Sequence, residues 1–266
     1  MIRDITLGQY YQGESLIHRL DPRVKIIATI LFIAELFIVD SFIGFAVYTV
    51  ALAITVSISK VPLSFIMKGL KPVLMIIVFT FCLNIFMVDG KILFQIGFLK
   101  VTVEGIYKAF YMGVRLILLI IGSSLLTLTT KPISLTDGIE RLLYPFSKIG
   151  VPAHEIAMMM SIALRFIPTL LEETDKIMKA QQARGADFES GNIFARAKAL
   201  VPILVPLFIS AFRIAQDLAM AMEARCYKGG KGRTRMHAMK FQGYDYAMSA
   251  VIIALFVLSI FLRGWF

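Results

Sequence analysis

Between Ile26 and Ser59 the only charged positions are Glu35 and Asp40. That apolar run is too long for one crossing, since a membrane helix needs about 20 residues, so the pattern predicts a helical hairpin turning near Val39–Phe42. "KVPLSFIMKGLKP", 60 to 72, then reads as a basic loop, with Pro72 opening a third span that runs to about Val88. Residues 89 to 105 alternate apolar and polar positions around Gly97, the pattern of a small extracellular hairpin. A fourth span covers about Ile106 to Thr129 and contains Arg115, for which Glu35 is a candidate partner. A fifth runs from about Tyr244 to Leu262.

Between Lys131 and Gly243 charges recur every few residues while apolar residues hold one side of each turn. "SLTDGIERLLYPFSKIGVP", 134 to 152, predicts a short helix opened by Ser134 or Thr136 and stopped by Pro145 or Gly150. Residues 153 to 185 predict a long amphipathic helix interrupted at Pro168 and closed by Gly185. Residues 192 to 226 repeat the plan, with Pro202 and Pro206 inside and Gly229 and Gly230 after the end. Placing Arg184 on Arg225 aligns Ala180 with Ala221, Ile177 with Leu218 and Leu171 with Phe212, a weak echo in register.

Composition agrees with a bilayer: 58% of the 266 residues are hydrophobic and 17% charged, with a mean hydropathy of +0.77. The polar opening "MIRDITLGQYYQGESLIHRLDPRVK" is not expected to be a removable signal peptide. The net charge of +10 fits lysine and arginine held on the cytoplasmic side better than nucleic-acid binding. Of the 28 basic residues, 16 lie between 131 and 240 and seven lie in the first 71 residues. The amino terminus and the 131–243 region are therefore expected in the cytoplasm and the carboxyl terminus outside. The expected architecture is an all-α polytopic membrane protein: residues 1–130 hold the amino-terminal segment and four spans, 131–243 the amphipathic helices, and 244–266 the final span.

Catalytic patterns are missing. "GGKGRTR", 229 to 235, lacks the upstream glycine and the serine or threonine of a phosphate loop, so ATP binding by that route is not expected. "HEIAM", 154 to 158, has Met158 where a zinc protease needs histidine, and Cys82 and Cys226 are too few for a disulfide framework or metal cluster. No cofactor or metal site is expected, and the chain reads as non-catalytic.

Arg184 and Arg225 each follow an alanine at the end of a long amphipathic helix. As helix caps they would contribute about 0.3–1 kcal/mol through the terminal carbonyls. A planar guanidinium flanked by the small residues Ala183, Gly185 and Ala224 also suits insertion into a groove on another protein. With the opening "GQYYQGESLIHRLDPRVKI", 8 to 26, and the order of spans, "ARG" at 183–185 and "ARC" at 224–226 make the chain resemble the transmembrane T component of energy-coupling factor transporters, with Cys226 standing where a glycine would copy the first triplet.

The resemblance implies that Ala183, Arg184, Gly185, Ala224, Arg225 and Cys226 couple the chain to two cytoplasmic ATP-binding cassette ATPase subunits (EcfA and EcfA'). It also implies an exchangeable vitamin-binding S component resting on the amphipathic coupling helices in the lipid bilayer. Pro168, Pro202 and Pro206 read equally as bends along those levers or as kinks fitting the helices to the membrane surface. Met158–Met160, Met220 and Met222 suit an adaptable surface or ordinary packing. "HRLDPR", 18 to 23, reads as a helix start anchored by basic residues, and 231–240 as a solvated positive loop near lipid headgroups. The competing readings are a stand-alone transporter or channel using Glu35, Asp40, Asn84 and Arg115, and a membrane scaffold.

Overall fold

The computed structural model describes residues 10–39, 41–96, 99–186, 188, 192–230, 239 and 241–263. The 231–240 loop, apart from Met239, and Asp40 and Gly97 lie outside the described residues. Residues 10–138 with 239–263 form one compact unit, and 139–230 form another.

In the first unit, α1 (Leu16–Arg19) is opened by Ser15, whose hydroxyl accepts the His18 amide. α2 (Pro22–Ile38) starts where "DP" predicts: Asp21 caps the Arg23 amide, and Pro22 occupies a position where a missing N–H costs nothing. Ser41 caps α3 (Phe42–Ser59) by accepting the Gly44 amide. A Cβ at Gly44 would collide with the Val39 side chain, so glycine permits the tight hairpin.

α4 spans Leu63–Met87 with Pro72 inside it. The expected 60–72 loop is therefore wrong: Pro62 supplies the helix start, Lys68 and Lys71 are helical, and Pro72 removes a single backbone bond without ending the helix. β1 (Ile92–Ile96) and β2 (Leu99–Thr102) form the expected antiparallel hairpin, with Ile92 opposite Thr102 and an irregularity between Ile92 and Phe94. Thr102 caps α5 (Val103–Thr129), its hydroxyl accepting the Gly105 amide at 3.0 Å. A Cβ on Gly105 would sit 2.9 Å from the carbonyl oxygens of Asn84 and Ile85, so this glycine lets α4 and α5 approach backbone to backbone. α6 (Pro132–Leu143) begins earlier than expected, at Pro132 rather than after Ser134 or Thr136. A 3-10 turn (Tyr144–Ile149) follows, ending at Gly150 with φ +94°.

The core of this unit joins Leu36, Val39, Phe45, Tyr48, Leu52 and Leu118, against which Leu255 of the last helix packs. Arg115 donates from Nη2 to the Val39 carbonyl at 3.1 Å and lies over the rings of Phe37 and Phe45. Glu35 is buried beside Tyr48, and Asn84 donates to the Thr80 carbonyl in its own helix. Each of these polar side chains sits within packed helices, as a low-dielectric setting demands.

α9 (Gly243–Arg263) is tied to the amino-terminal motif. Asp245, 1% exposed, accepts the Asp21 amide through Oδ1 and the Gln242 amide through Oδ2, both at 2.8 Å. Arg23 grips Asp21 through Nε and Nη2 and stacks 4.0 Å from the centre of the Phe241 ring. Lys25 donates from Nζ to the carbonyls of His18 and Thr129, and Tyr244 donates to the Arg19 carbonyl. The segment from His18 to Lys25 thus holds α2, α5 and α9 together. Burial pushes the Asp21 carboxyl up, but the hydrogen bonds and charge of Arg23 outweigh that and hold it below the usual carboxylate range.

In the second unit, α7 (Ala153–Ala183) runs on through Pro168, so the expected interruption is a proline inside a continuous helix. α8 (Ile193–Ala224) contains Pro202 and Pro206. Among the described residues, six helical stretches are long and apolar enough to cross a membrane: α3, α4, α5, α7, residues 198–224 of α8, and the 243–261 stretch of α9. With only 17 residues, α2 is shorter than these, and α7 and α8 meet the same measure although their charge pattern predicts surface helices. The chain is an all-α polytopic membrane protein apart from the small hairpin.

Two outcomes follow. Asp245→Ala strands two buried amides and should cost about 2–4 kcal/mol, while Asp245→Asn keeps one acceptor and should cost clearly less, read as thermal unfolding in detergent. Because its pKa is depressed, Asp21 contributes stability above its unfolded value near about 3.9 and loses it as pH falls through the lower folded value. The stability gap between wild type and Asp21→Asn should therefore be widest near neutrality and shrink in acid.

Candidate functional site

The two arginine triplets form the same structure. α7 ends at Ala183, and Arg184 is the C-cap with φ −88° and ψ 7°. α8 ends at Ala224, and Arg225 is the C-cap with φ −90° and ψ 14°. The Arg184 amide donates to the Ala180 carbonyl at 3.3 Å, and the Arg225 amide to the Ala221 carbonyl at 3.2 Å. These are the alanines that the sequence alignment paired.

The next residue turns left-handed at both ends, Gly185 at φ +88° and Cys226 at φ +55°. The Gly185 amide returns to Gln182 at 2.9 Å and the Cys226 amide to Glu223 at 2.8 Å. One residue on, Ala186 donates to Gln181 and Tyr227 to Met222, both at 3.0 Å. This paired pattern is a Schellman termination, which satisfies the carbonyls of Gln181, Gln182, Met222 and Glu223 from within the chain. Those carbonyls do not need either guanidinium, and both arginines are exposed.

The sequence explains only half of this. Glycine at 185 is the ordinary residue for a left-handed C′ position, but cysteine pays a steric penalty there. Cys226 is thus defined by its backbone conformation more than by its small size, a requirement that the sequence alone did not expose.

Two contacts set the spacing of the triplets. Gln181 donates a long, 3.5 Å hydrogen bond to the Pro202 carbonyl. Pro206 cannot donate to that carbonyl within the helix, so the acceptor is freed by the proline itself. At the other end, a Cβ on Gly230 would collide with the His154 ring, which bonds from Nδ1 to Glu140 Oε1 at 3.1 Å. The end of α7 therefore meets the early part of α8, and the chain leaving α8 meets the start of α7. The helices are antiparallel, and the arginines stand at opposite ends of the pair, on the order of 30 Å apart by helix rise.

The pair hides little of its own surface. Among the described residues, only Ala153 and Ala157 of α7 and Ile203 of α8 are buried. Val201, Leu204, Val205, Phe208, Ile209 and Phe212 recur at helical spacing on α8, and each is more than half exposed. Five of them line a shallow cleft of about 360 Å³. Met159 and Met220 are exposed, and Met158, Met160 and Met222 are half-buried, so none of the singled-out methionines is in a packed core. The unit thus presents two cationic tips and an uncovered apolar face.

Comparison with known proteins gives a consistent picture. The family described as cobalt transport protein, CbiQ, matches residues 13–237. The energy-coupling factor transporter transmembrane protein EcfT of Clostridium kluyveri is 59% identical over 267 residues, covering 100% of this chain and 99% of that one. The protein of the same description from Thermosediminibacter oceani is 59% identical over 246 residues, 92% of this chain and 93% of its own. That of Bacillus subtilis is 50% identical over 265 residues, 99% and 100% of the two chains. With identity at this level over essentially its whole length, the chain belongs to the CbiQ family, among the transmembrane proteins of energy-coupling factor transporters.

Proposed function

We propose that the chain couples ATP hydrolysis by two cytoplasmic ATP-binding cassette subunits (EcfA and EcfA') to movement of a micronutrient-binding S component. The observation that carries this reading is the repeated helix end: two exposed arginines on identical Schellman turns, at opposite ends of one helix pair. Arginines needed only as caps would lie against the terminal carbonyls, whereas both are exposed at ends where Schellman turns already bond the carbonyls of Gln181, Gln182, Met222 and Glu223. A separation on the order of 30 Å suits two grooves on two subunits better than one shared groove.

In this reading, ATP binding draws the ATPases together and each arginine tip carries the motion into its helix. Ala183, Gly185, Ala224 and Cys226 are compact, so the tips can enter a groove without side-chain collision. The apolar stripe on α8 offers the S component a surface, and Pro168, Pro202 and Pro206 permit bends between tip and stripe. The half-exposed methionines suit repacking against exchangeable partners.

The lysine and arginine distribution supports a cytoplasmic position for the amino terminus and the arginine-bearing helices. α7 and α8 lie along that side, consistent with Arg165, Glu172, Glu173, Asp175, Lys176 and Lys179 on α7 and Arg213, Asp217 and Glu223 on α8. Hydrolysis resides in the partner subunits, and the transported vitamin or metal is chosen by the S component.

Arg184→Ala and Arg225→Ala should each reduce recovery of ATPase subunits on affinity purification and lower ATP-driven uptake in vesicles at least tenfold, with unchanged thermal unfolding of the isolated chain. Wild-type recovery and uptake in both variants would reject the coupling role. At the neighbouring position, relief of roughly 1–2 kcal/mol of left-handed strain should exceed the roughly 0.5–1 kcal/mol entropic cost of glycine. Cys226→Gly is therefore expected to be slightly stabilising and active, and Cys226→Val to be destabilising and impaired, measured by thermal unfolding and uptake.

A further inference from the structure

Within the second unit, Arg225 begins a short stretch of chain that is anchored at both ends. On one side α8 closes in the left-handed turn at Cys226. On the other, Gly229 turns left-handed again at φ +88°, and Gly230 comes to rest against the His154 ring. A Cβ at Gly230 would collide with Cγ and Cδ2 of that ring, so only a bare backbone fits there. Between the two anchors, Cys226 and Lys228 are exposed while Tyr227 and Gly229 are half-buried. The chain leaving the second arginine therefore folds back onto the start of α7 instead of running into solvent.

The seat for Gly230 is itself oriented by one hydrogen bond. His154 Nδ1 lies 3.1 Å from Oε1 of Glu140, which comes from the last turn of α6. A carboxylate only accepts, so Nδ1 is the donor. The Glu140 side chain is 13% exposed, which shields the bond from water. The other ring nitrogen, Nε2, is buried and has no hydrogen-bond partner among the described residues. Glu140 is thus the polar contact that sets the direction of the ring. Without the carboxylate the imidazole is held by packing alone, and a turn to another rotamer would remove the surface that Gly230 rests on.

We propose that Glu140 and His154 are positioning residues for Arg225: the pair latches the chain behind the second arginine and fixes the direction in which that tip meets its partner. This rests on the reading of Arg225 as a contact point for an ATPase subunit. A stretch tied at both ends samples fewer conformations than one tied at a single end. Less freedom is then lost when the tip is bound, which favours binding without any added contact. The first tip is tied by a different contact, Gln181 on the Pro202 carbonyl, which involves neither Glu140 nor His154. Loss of the latch weakens one docking point and spares the other, an asymmetry that general loosening of the helix pair would not produce.

The latch is tested first without any partner. In the full-length chain carrying Cys82→Ser, a nitroxide is attached to the exposed Cys226 and its mobility is read by electron paramagnetic resonance in detergent. Glu140→Ala and His154→Ala should each shorten its rotational correlation time at least twofold. Glu140→Gln keeps an acceptor oxygen and should hold the label near its original mobility. The consequence is read in membranes containing the assembled transporter, by benzophenone cross-linking to ATPase subunits from Ala224 and from Ala183. Both alanine variants should lower the yield from Ala224 at least fivefold and leave that from Ala183 within twofold. Unchanged label mobility in both alanine variants, equal losses from the two positions, or a freed label with an undiminished Ala224 yield would each overturn the assignment. No ATPase link from Ala224 in the unsubstituted chain would overturn the positioning role together with the docking reading, and the label comparison then decides whether the latch itself exists. Should His154→Ala fail to fold, Glu140→Ala against Glu140→Gln decides the comparison.

Discussion

A carboxylate buried where the last membrane helix begins organises the helical unit around it. Asp245 accepts the amide of Asp21 across 224 residues of sequence, and Asp21 in turn caps α2 and is clamped by Arg23. Lys25 completes the junction by donating to a carbonyl at the end of α5. Removing charges from water is costly, and the arrangement is tolerable because each buried acid meets amides or a guanidinium and the lysine meets carbonyls. The apolar cluster of α2, α3, α5 and α9 packs behind this polar junction, which pins the start of α2, the end of α5 and the start of α9.

The unit that carries the arginines follows the opposite principle. Among the described residues it has almost no interior, and Schellman turns close its two arginine-bearing helix ends. Carbonyls bonded within those turns leave the arginine side chains available, and an uncovered apolar stripe leaves α8 available. Surface of this kind is unfavourable in water and is characteristic of elements completed by other molecules. Membership in the energy-coupling factor transporter family gives that incompleteness its context: the chain is one subunit of a transporter.

Much of this was legible in the residues. Long apolar runs marked α3, α5 and α9, and alternation marked the β hairpin, because helical and strand periods leave different spacings. "DP" at 21–22 marked the start of α2, and the arginine triplets marked both helix ends. Less visible was α4, which keeps its helix through Pro72 because one lost backbone bond does not outweigh the turns on either side. The Asp21–Asp245 contact was hidden because pairings between distant residues leave no periodic trace. A lone acid at the head of the final apolar run was the one available hint. Cys226 was legible as small, whereas its left-handed backbone emerged only from the folded helix end.

The central claim is that the two triplets are separate contact points for two ATPase subunits. Site-specific photocross-linking tests it most directly, with a benzophenone amino acid placed at Ala183 or at Ala224 in membranes containing the assembled transporter. The account predicts that each position links to an ATP-binding cassette subunit and that the linked peptides lie in a groove of that subunit. Links confined to lipid or to this chain, from both positions, would contradict it.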